Sequence, residues 1–304
     1  MQTDQDTQFA AELEPVVGRL YERHLETAKE WFPHDLVPWS RGRDFVPGES
    51  WVDTDSSVPE AVRSALVVNL LTEDNLPYYT RTIGAMTQSE GWQEWSRRWT
   101  AEEGRHAIVI RDYLTVTRLV DPVALERARM IQVSNGVVPE PDTFAEGIAY
   151  VALQELATRI SHRNTGKIVG DEAGFQVMAR VAQDENLHHL FYRDLVSAAL
   201  EIAPSEMVIA IDKQVRAFAM PGVGIPDFAT HAKLIASAGV YDFRVHHDSI
   251  VEPVLYKHWR IQDVKGLDPA GERARDSLMA FTAKLQRVAT RIAERQANQA
   301  LATV

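Results

Sequence analysis

One constellation occurs twice in this chain, and it limits what the chain can fold into more than any other feature. Glu103-Gly104-Arg105-His106 is a Glu-x-x-His unit, and Glu185-Asn186-Leu187-His188 is a second. A lone glutamate precedes each unit by thirty residues, Glu73 in the first case and Glu155 in the second. An acidic residue also stands directly before each unit, Glu102 and Asp184. With 23 Glu and 10 His in 304 residues, about one Glu-x-x-His arises by chance, so a single unit would mean little. The repeated interval is what chance does not readily supply.

The spacing converts to geometry. Residues three apart on a helix share a face, so each unit aims a carboxylate and an imidazole at one point. The midpoint between Glu73 and Glu103 is Gln88, within Thr87-Gln88-Ser89-Glu90-Gly91. The midpoint between Glu155 and Glu185 is Gly170, within Gly170-Asp171-Glu172. Both read as turns, with Ser89 and Asp171 as the N-caps of the following helices. A helical hairpin folded at each midpoint has matching arms of about 22 Å. The lone Glu and the Glu-x-x-His then lie at one level on facing antiparallel helices. Two such hairpins make a four-helix bundle with four Glu and two His at its centre, the ligand set of carboxylate-bridged di-iron bundles.

Four carboxylates in a bundle core must be paired or bind metal. Their charge balances two divalent ions, and oxygen with imidazole nitrogen suits iron or manganese. Glu103 and Glu185 are expected to bridge the ions, with Glu73 and Glu155 as terminal ligands. Metal-bound imidazoles usually donate their other N–H to a carboxylate, for which Asp184 and Glu102 are candidates. Glu102 reads equally well as a solvent-facing acid. Thr158, three residues after Glu155, shares its face. Its hydroxyl could hold water or assist protons at the metals, or simply bond its own turn. Trp92, Trp95 and Trp99 read as core. His162, His189, His246 and His247 lack a carboxylate in register and read as ordinary histidines.

The remainder is consistent with an all-α chain. Helices are expected over residues 8–31, 59–86 with a kink at Pro77, 89–119, a short helix to about 133, 142–168, 171–201, 204–219, 227–239, 246–261 and 268–300. Prolines and glycines break the chain at 134–142 and at Pro221-Gly222-Val223-Gly224-Ile225-Pro226. No segment sustains strand alternation. The second hairpin follows the first without a linker, so one ferritin-like helical domain is expected over 1–304. Its metal-binding bundle covers about 59–201, with supporting helices at 8–31 and 204–300.

There is no apolar run long enough to span a membrane. The polar, acidic stretch from Met1 to Ala10 has no signal-type apolar region. Zero cysteines exclude disulfides, thiol catalysis, iron–sulfur clusters and cysteine-ligated zinc. A cytoplasmic location is the default expectation. The net charge of −11 argues against nucleic-acid binding. Residues 1–60 hold thirteen acidic against five basic residues, and residues 265–304 hold seven basic against four acidic. This is either ordinary surface variation or a local basic face for an acidic partner.

At these motifs the sequence resembles the soluble acyl-acyl carrier protein desaturases, most closely the actinobacterial type. The resemblance rests on Leu71-Thr72-Glu73-Asp74-Asn75-Leu76-Pro77, Arg98-Trp99-Thr100-Ala101-Glu102-Glu103-Gly104-Arg105-His106 and Gln154-Glu155-Leu156-Ala157-Thr158. Ile160-Ser161-His162-Arg163-Asn164-Thr165-Gly166 and Asp184-Glu185-Asn186-Leu187-His188 extend it. It implies a carboxylate-bridged di-iron site in which Glu73 and His106 hold one iron, Glu155 and His188 the other, and Glu103 and Glu185 bridge. It implies that Asp184 links His106 to a surface tryptophan, for which Trp39 is the best candidate, and that Thr158 lies on the oxygen side. The implied reaction is O2-dependent: a fatty acyl chain on acyl carrier protein enters an apolar channel and gains a cis double bond. Two electrons come from a ferredoxin-like donor, and the enzyme is a homodimer. Arg111, Arg118, Arg127 and Arg129 are candidates for the basic surface that meets the carrier. A radical subunit of ribonucleotide reductase would want Asp for Glu73 and a tyrosine near Ile110. A di-iron hydroxylase, a non-enzymatic ferritin-like iron binder and a desaturase relative that has lost activity are the remaining alternatives.

Overall fold

The computed structural model describes residues 4–302 other than 221 and 223, and their side chains other than those of residues 5 and 296–302. In chain order the helices are α1 (Asp4–Thr27), α2 (Pro33–Leu36), α3 (Glu60–Glu73), α4 (Leu76–Ala85), α5 (Glu90–Thr117) and α6 (Pro122–Asn135). They continue with α7 (Phe144–Ile168), α8 (Glu172–Ile202), α9 (Pro204–Ala217), α10 (Phe228–Ser237), α11 (Phe243–His246) and α12 (Pro269–Ala302). Beyond α11 the chain widens into π-helical turns, His247–Val251 and Pro253–His258. The described residues contain no strand, and no helix among them is long and apolar enough to cross a membrane. Pro221 and Val223 of the expected break lie outside the described residues.

The expected helix over 59–86 is two helices. Pro77 has no N–H, and its ring excludes the carbonyl four residues back, which is that of Glu73. The chain therefore stops at Glu73, turns through Asp74 and Asn75, and restarts with Pro77 in the first turn of α4. Glu73 is left as the last residue of α3 rather than an interior one. The first supporting helix also ends earlier than its apolar pattern suggested, at Thr27.

The starts of α5 and α8 differ in kind. Asp171 caps α8 as expected, its side chain accepting from Gly174 N at 3.2 Å. Ser89 makes no such bond at the start of α5. Glu14 of α1 supplies the acceptor instead, at 2.7 Å from Gly91 N. That carboxylate also complements the positive end of the α5 dipole.

α3, α5, α7 and α8 form the bundle, with α7 against α8, α3 against α5, α5 against α8 and α3 against α7. α1 lies across α5 and α8, α9 covers α7, α12 packs on α9, and α10 covers α3. Every residue of α7 from Phe144 to Thr158 is buried, so this helix is enclosed on all sides. Along α5 and α8 the apolar contacts split into two clusters. One contains Trp92, Trp95, Trp99, Phe191 and Leu195. The other contains Val109, Ile110, Tyr113, Val177 and Val181. The intervening turns, 102–106 and 184–188, carry the polar residues, so the repeated motif sits in a dry layer between two apolar ones.

Asp171 does more than cap: its carboxylate also accepts from Tyr113 Oη at 3.0 Å and pairs with Arg41 at 2.7 Å. Asp171→Ala should cost roughly 2 kcal/mol, and Asp171→Asn should recover part of it. Urea unfolding at neutral pH measures both; an unchanged midpoint in the alanine variant would remove the cap from the account.

Candidate metal centre

The fold brings the six residues of the repeated motif to one point. Glu73, Glu103, His106 and Glu185 place ligand atoms within 4.8 Å of one another, as do Glu103, Glu155, Glu185 and His188. Glu103 and Glu185 belong to both groups, while each remaining pair belongs to one. Glu103 reaches both imidazoles, Oε2 lying 3.3 Å from His106 Nδ1 and Oε1 2.8 Å from His188 Nδ1. His106 Nδ1 is also 3.5 Å from Glu73 and from Glu185, and His188 Nδ1 is 3.5 Å from Glu155.

These contacts are close but are not hydrogen bonds. Glu103 Oε1, Glu155 Oε2 and the Nδ1 atoms of both imidazoles are buried with no hydrogen-bond partner. With the imidazoles neutral and their Nε2 atoms turned to Asp184 and Glu102, nitrogen and oxygen lone pairs face one another across these gaps, an arrangement that a cation fits. The electrostatics agree. Burial, then repulsion from Glu185, raises Glu103 and Glu155 above the ordinary carboxylate range. Burial opposes charging of His106 and His188, yet the surrounding carboxylates hold both well above the ordinary imidazole value. Protons would have to supply the positive charge that two metal ions supply better. A donor set of carboxylate oxygens and imidazole nitrogens without sulfur fits iron or manganese.

The far side of each imidazole is also held. His106 Nε2 lies 3.4 Å from Asp184, and His188 Nε2 lies 2.9 Å from Glu102. Glu102 is therefore buried and paired, not solvent-facing. Burial works against the charge on Asp184, but His106 and Arg180 bring it down to about 2. Each acid has an arginine four residues before it, Arg98 for Glu102 and Arg180 for Asp184, and Arg105 lies between the two acids.

Two expectations need correction. Trp39 is 51% exposed and donates only to the His34 carbonyl. Trp31 is the residue that meets Asp184, with Nε1 2.7 Å from Oδ2. Its ring stacks 6.4 Å from that of His106, with the guanidinium of Arg105 at 4.8 Å. The early end of α1 puts Trp31, not Trp39, over the bundle. His162 is not an ordinary histidine either. Its Nε2 lies 2.8 Å from Glu73 and 3.7 Å from Glu185. The signal was present: Glu155, Thr158 and His162 stand at i, i+3 and i+7 on α7. Trp99 is core as expected, and it donates to Glu155 at 3.1 Å. His189 does behave as expected, its Nδ1 held at 2.8 Å by the Ala152 carbonyl.

Thr158 joins the site to a cavity. Its hydroxyl lies 3.0 Å from Glu185 Oε2 and also within reach of its own turn, 3.1 Å from the Glu155 carbonyl. Thr158 and His162 line a cavity of about 460 Å³ whose other walls are mostly apolar, among them Val68, Phe218, Phe228, Ile235, Phe281 and Leu285. α3, α7, α9, α10 and α12 contribute to it, so it lies on the side of the bundle away from α1. His246 also lines it, 2.9 Å from Tyr241 Oη and stacked 4.8 Å from Phe218.

Of the four arginines considered for a carrier surface, Arg111 pairs with Asp112, Arg118 with Glu49, and Arg129 with Asp74 and Glu126. None of the four lines the cavity.

Residues 5–304 match the model of a family described as fatty acid desaturase. DesA1 of Mycobacterium tuberculosis, which carries the name acyl-[acyl-carrier-protein] desaturase, is 44% identical over 284 residues, covering 90% of this chain and 84% of that protein. The chloroplastic stearoyl-[acyl-carrier-protein] 9-desaturase of Gossypium hirsutum is 29% identical, covering 90% of this chain and 73% of that one. The X-ray structure of the acyl-ACP desaturase DesA2 from M. tuberculosis superposes with a TM-score of 0.70 at 28% identity, over 88% of this chain and 99% of that one.

Burial, and secondarily His247, push the pKa of His246 down to about 4 from an ordinary 6.5. The unfolded chain then binds more protons than the folded one between those values, so this residue's contribution falls as pH drops through that window. His246→Asn should flatten the acid side of the stability profile by roughly 3 kcal/mol at most. Unfolding free energies between pH 7 and pH 4 test this, and parallel profiles would refute it.

Proposed function

The chain belongs to the fatty acid desaturase family, among its acyl-[acyl-carrier-protein] desaturases, and on that premise we propose that it inserts a cis double bond into a carrier-bound fatty acyl chain at a di-iron centre. The observation that carries this is the sharing of Glu103 and Glu185 between two buried carboxylate–imidazole groups, with an apolar cavity ending beside them. Glu73 and His106 would hold one iron and Glu155 and His188 the other, bridged by Glu103 and Glu185. When bound, the iron pair would supply O2 reduction and the oxidising power to remove two hydrogens from adjacent carbons.

The chain's own residues account for the rest. The apolar walls would enclose the acyl chain and exclude water. Thr158 presents a hydroxyl where the cavity meets Glu185, able to hold a water or pass a proton. His162, donating to Glu73 from the cavity side, fixes that carboxylate at the end of α3. Asp184 orients His106, and the Trp31–Asp184–His106 chain gives two electrons from a ferredoxin-like donor a bonded route inward. Two electrons, two protons and O2, together with the two hydrogens removed, leave as two waters. Arg216 lines the cavity and would meet an acidic acyl carrier protein there better than Arg111, Arg118 or Arg129, which do not line it. A homodimer in the cytoplasm completes the reading, supported by the family and the absence of cysteine.

Incubation with acyl carrier proteins of varied acyl length, a reductant and O2 should remove the mass of two hydrogens from one length class, read by mass spectrometry of the acyl chain. A gain of one oxygen atom would mean a hydroxylase instead, and iron uptake without acyl turnover would mean an iron-binding protein. Purified protein should hold about two irons per chain, and Glu103→Ala combined with Glu185→Ala should abolish them. Iron retained at wild-type level in the double variant would overturn the ligand assignment.

A further inference from the structure

The two halves of the metal centre are related by approximate two-fold symmetry, but their supports differ. Behind His106 stands Asp184, held by Trp31 and Arg180. Behind His188 stands Glu102, held by Arg98 and by His24 of α1. His24 lies outside the bundle and 78 residues from Glu102, yet its side chain is only 2% exposed. Its Nε2 lies 3.0 Å from Glu102 Oε2, the same oxygen that His188 Nε2 meets at 2.9 Å. The ring packs edge-on against Trp95 at 5.0 Å and parallel to His188 at 5.8 Å.

The arrangement fixes proton positions. An ionised Glu102 only accepts, so both Nε2 atoms must donate to it. In its neutral form, the one that can take a metal, His188 then keeps a bare Nδ1, and that atom faces Glu103 and Glu155. The other oxygen of Glu102 is drawn outward by Arg98, a half-exposed residue at 2.6 Å. His24 opposes that pull from the inside. Without it, Glu102 would follow Arg98 toward the surface and His188 would lose its acceptor. His24, Glu102 and His188 also lie close enough to suggest a third ion. The donated protons argue against one, because no lone pair on either imidazole is left pointing at that carboxylate oxygen.

Resting on the metal-centre reading above, we propose that His24 is a positioning residue: acting through Glu102, it sets the tautomer and orientation of His188, so that α1 completes one half of the metal centre. His24 reaches only the half built on Glu155 and His188; the half built on Glu73 and His106 is supported through Trp31 and Arg180 instead. The two metal ions are therefore bound unequally when His24 is altered.

A small cavity of about 180 Å³ lined by Leu20, Arg23, His24, Thr27, Leu187 and Phe191 reaches His24 from the surface, which makes chemical rescue practicable. In full-length iron-loaded protein, His24→Phe keeps a ring against Trp95 and removes the donor. It should weaken one of two ions by 10–100-fold in chelator competition, the usual cost of removing a ligand's outer support. The other ion should stay within about two-fold of its wild-type affinity. His24→Ala should behave alike, with added imidazole restoring the second ion, and His24→Gln should retain most binding through its amide donor. Manganese titration followed by electron paramagnetic resonance gives the same count without turnover. Two ions at wild-type affinity in His24→Phe would overturn the proposal, as would equal loss of both ions, which marks a general packing role. Failure of the wild-type protein to bind a metal pair would overturn the metal-centre reading itself and is seen in the same titration before any variant is made.

Discussion

Everything in this structure answers to the burial of four glutamates at one level of a helix bundle. An ionised carboxylate taken out of water without compensation is among the most costly things a fold can contain. Glu73, Glu103, Glu155 and Glu185 are all at most 6% exposed. Two more acids, Glu102 and Asp184, are buried beside them. The chain meets this with donors from many directions: His162 and Trp99 from within the bundle, Trp31 and His24 from outside it, and Arg98, Arg105 and Arg180 at its edge. What these do not satisfy is a set of lone pairs facing one another at the centre, and those are the atoms a metal pair would take. A partly satisfied polar network inside a protein is worse than none, so the unfilled remainder is itself functional information.

The network also divides the molecule by role. α1 and the segment after it cover the face formed by α5 and α8, where the acids behind the imidazoles are held. The cavity opens on the face formed by α3 and α7, where Thr158 and His162 stand. One side of the centre is braced and the other is open to a ligand. Such a division suits chemistry that needs fixed metal geometry and a mobile apolar substrate together, since the parts that must not move lie away from the parts that must admit a chain.

The sequence made the convergence of the six candidate ligands legible because that geometry is local at its source. A carboxylate and an imidazole three residues apart need only a helix to converge, and the equal thirty-residue intervals need only a turn at each midpoint. Glu73, Glu103, His106, Glu155, Glu185 and His188 all met as that reasoning required. The supports were less visible. Asp184 could be named from its place beside a ligand, but Trp31 and His24 depend on where α1 ends and how it lies across α5 and α8. That register comes from tertiary packing, so the count from Trp39 failed. His162 was overlooked for a different reason: it was judged against the Glu-x-x-His pattern when the relevant period was its own helix. Ser89 had the right residue type for a cap, but Glu14 from a distant helix took the place.

The break at Pro77 bears on the metal centre more directly than a kink would. It leaves Glu73 and Asp74 at the C-terminal end of α3, where unsatisfied carbonyls give the helix its negative pole. Two carboxylates there run against the usual rule that cations sit at this end. Each has its own compensation, His162 for Glu73 and Arg129, at 2.6 Å, for Asp74. The pair of fixed negative features, helix end and carboxylate, is a poor arrangement for the apo fold and a good one for a divalent cation. A proline four residues after Glu73 therefore gives up helix continuity at a carboxylate that would hold a cation. Local rules of this kind are expected to fail at functional sites, and here the failure falls on a candidate ligand whose partner His162 lines the cavity.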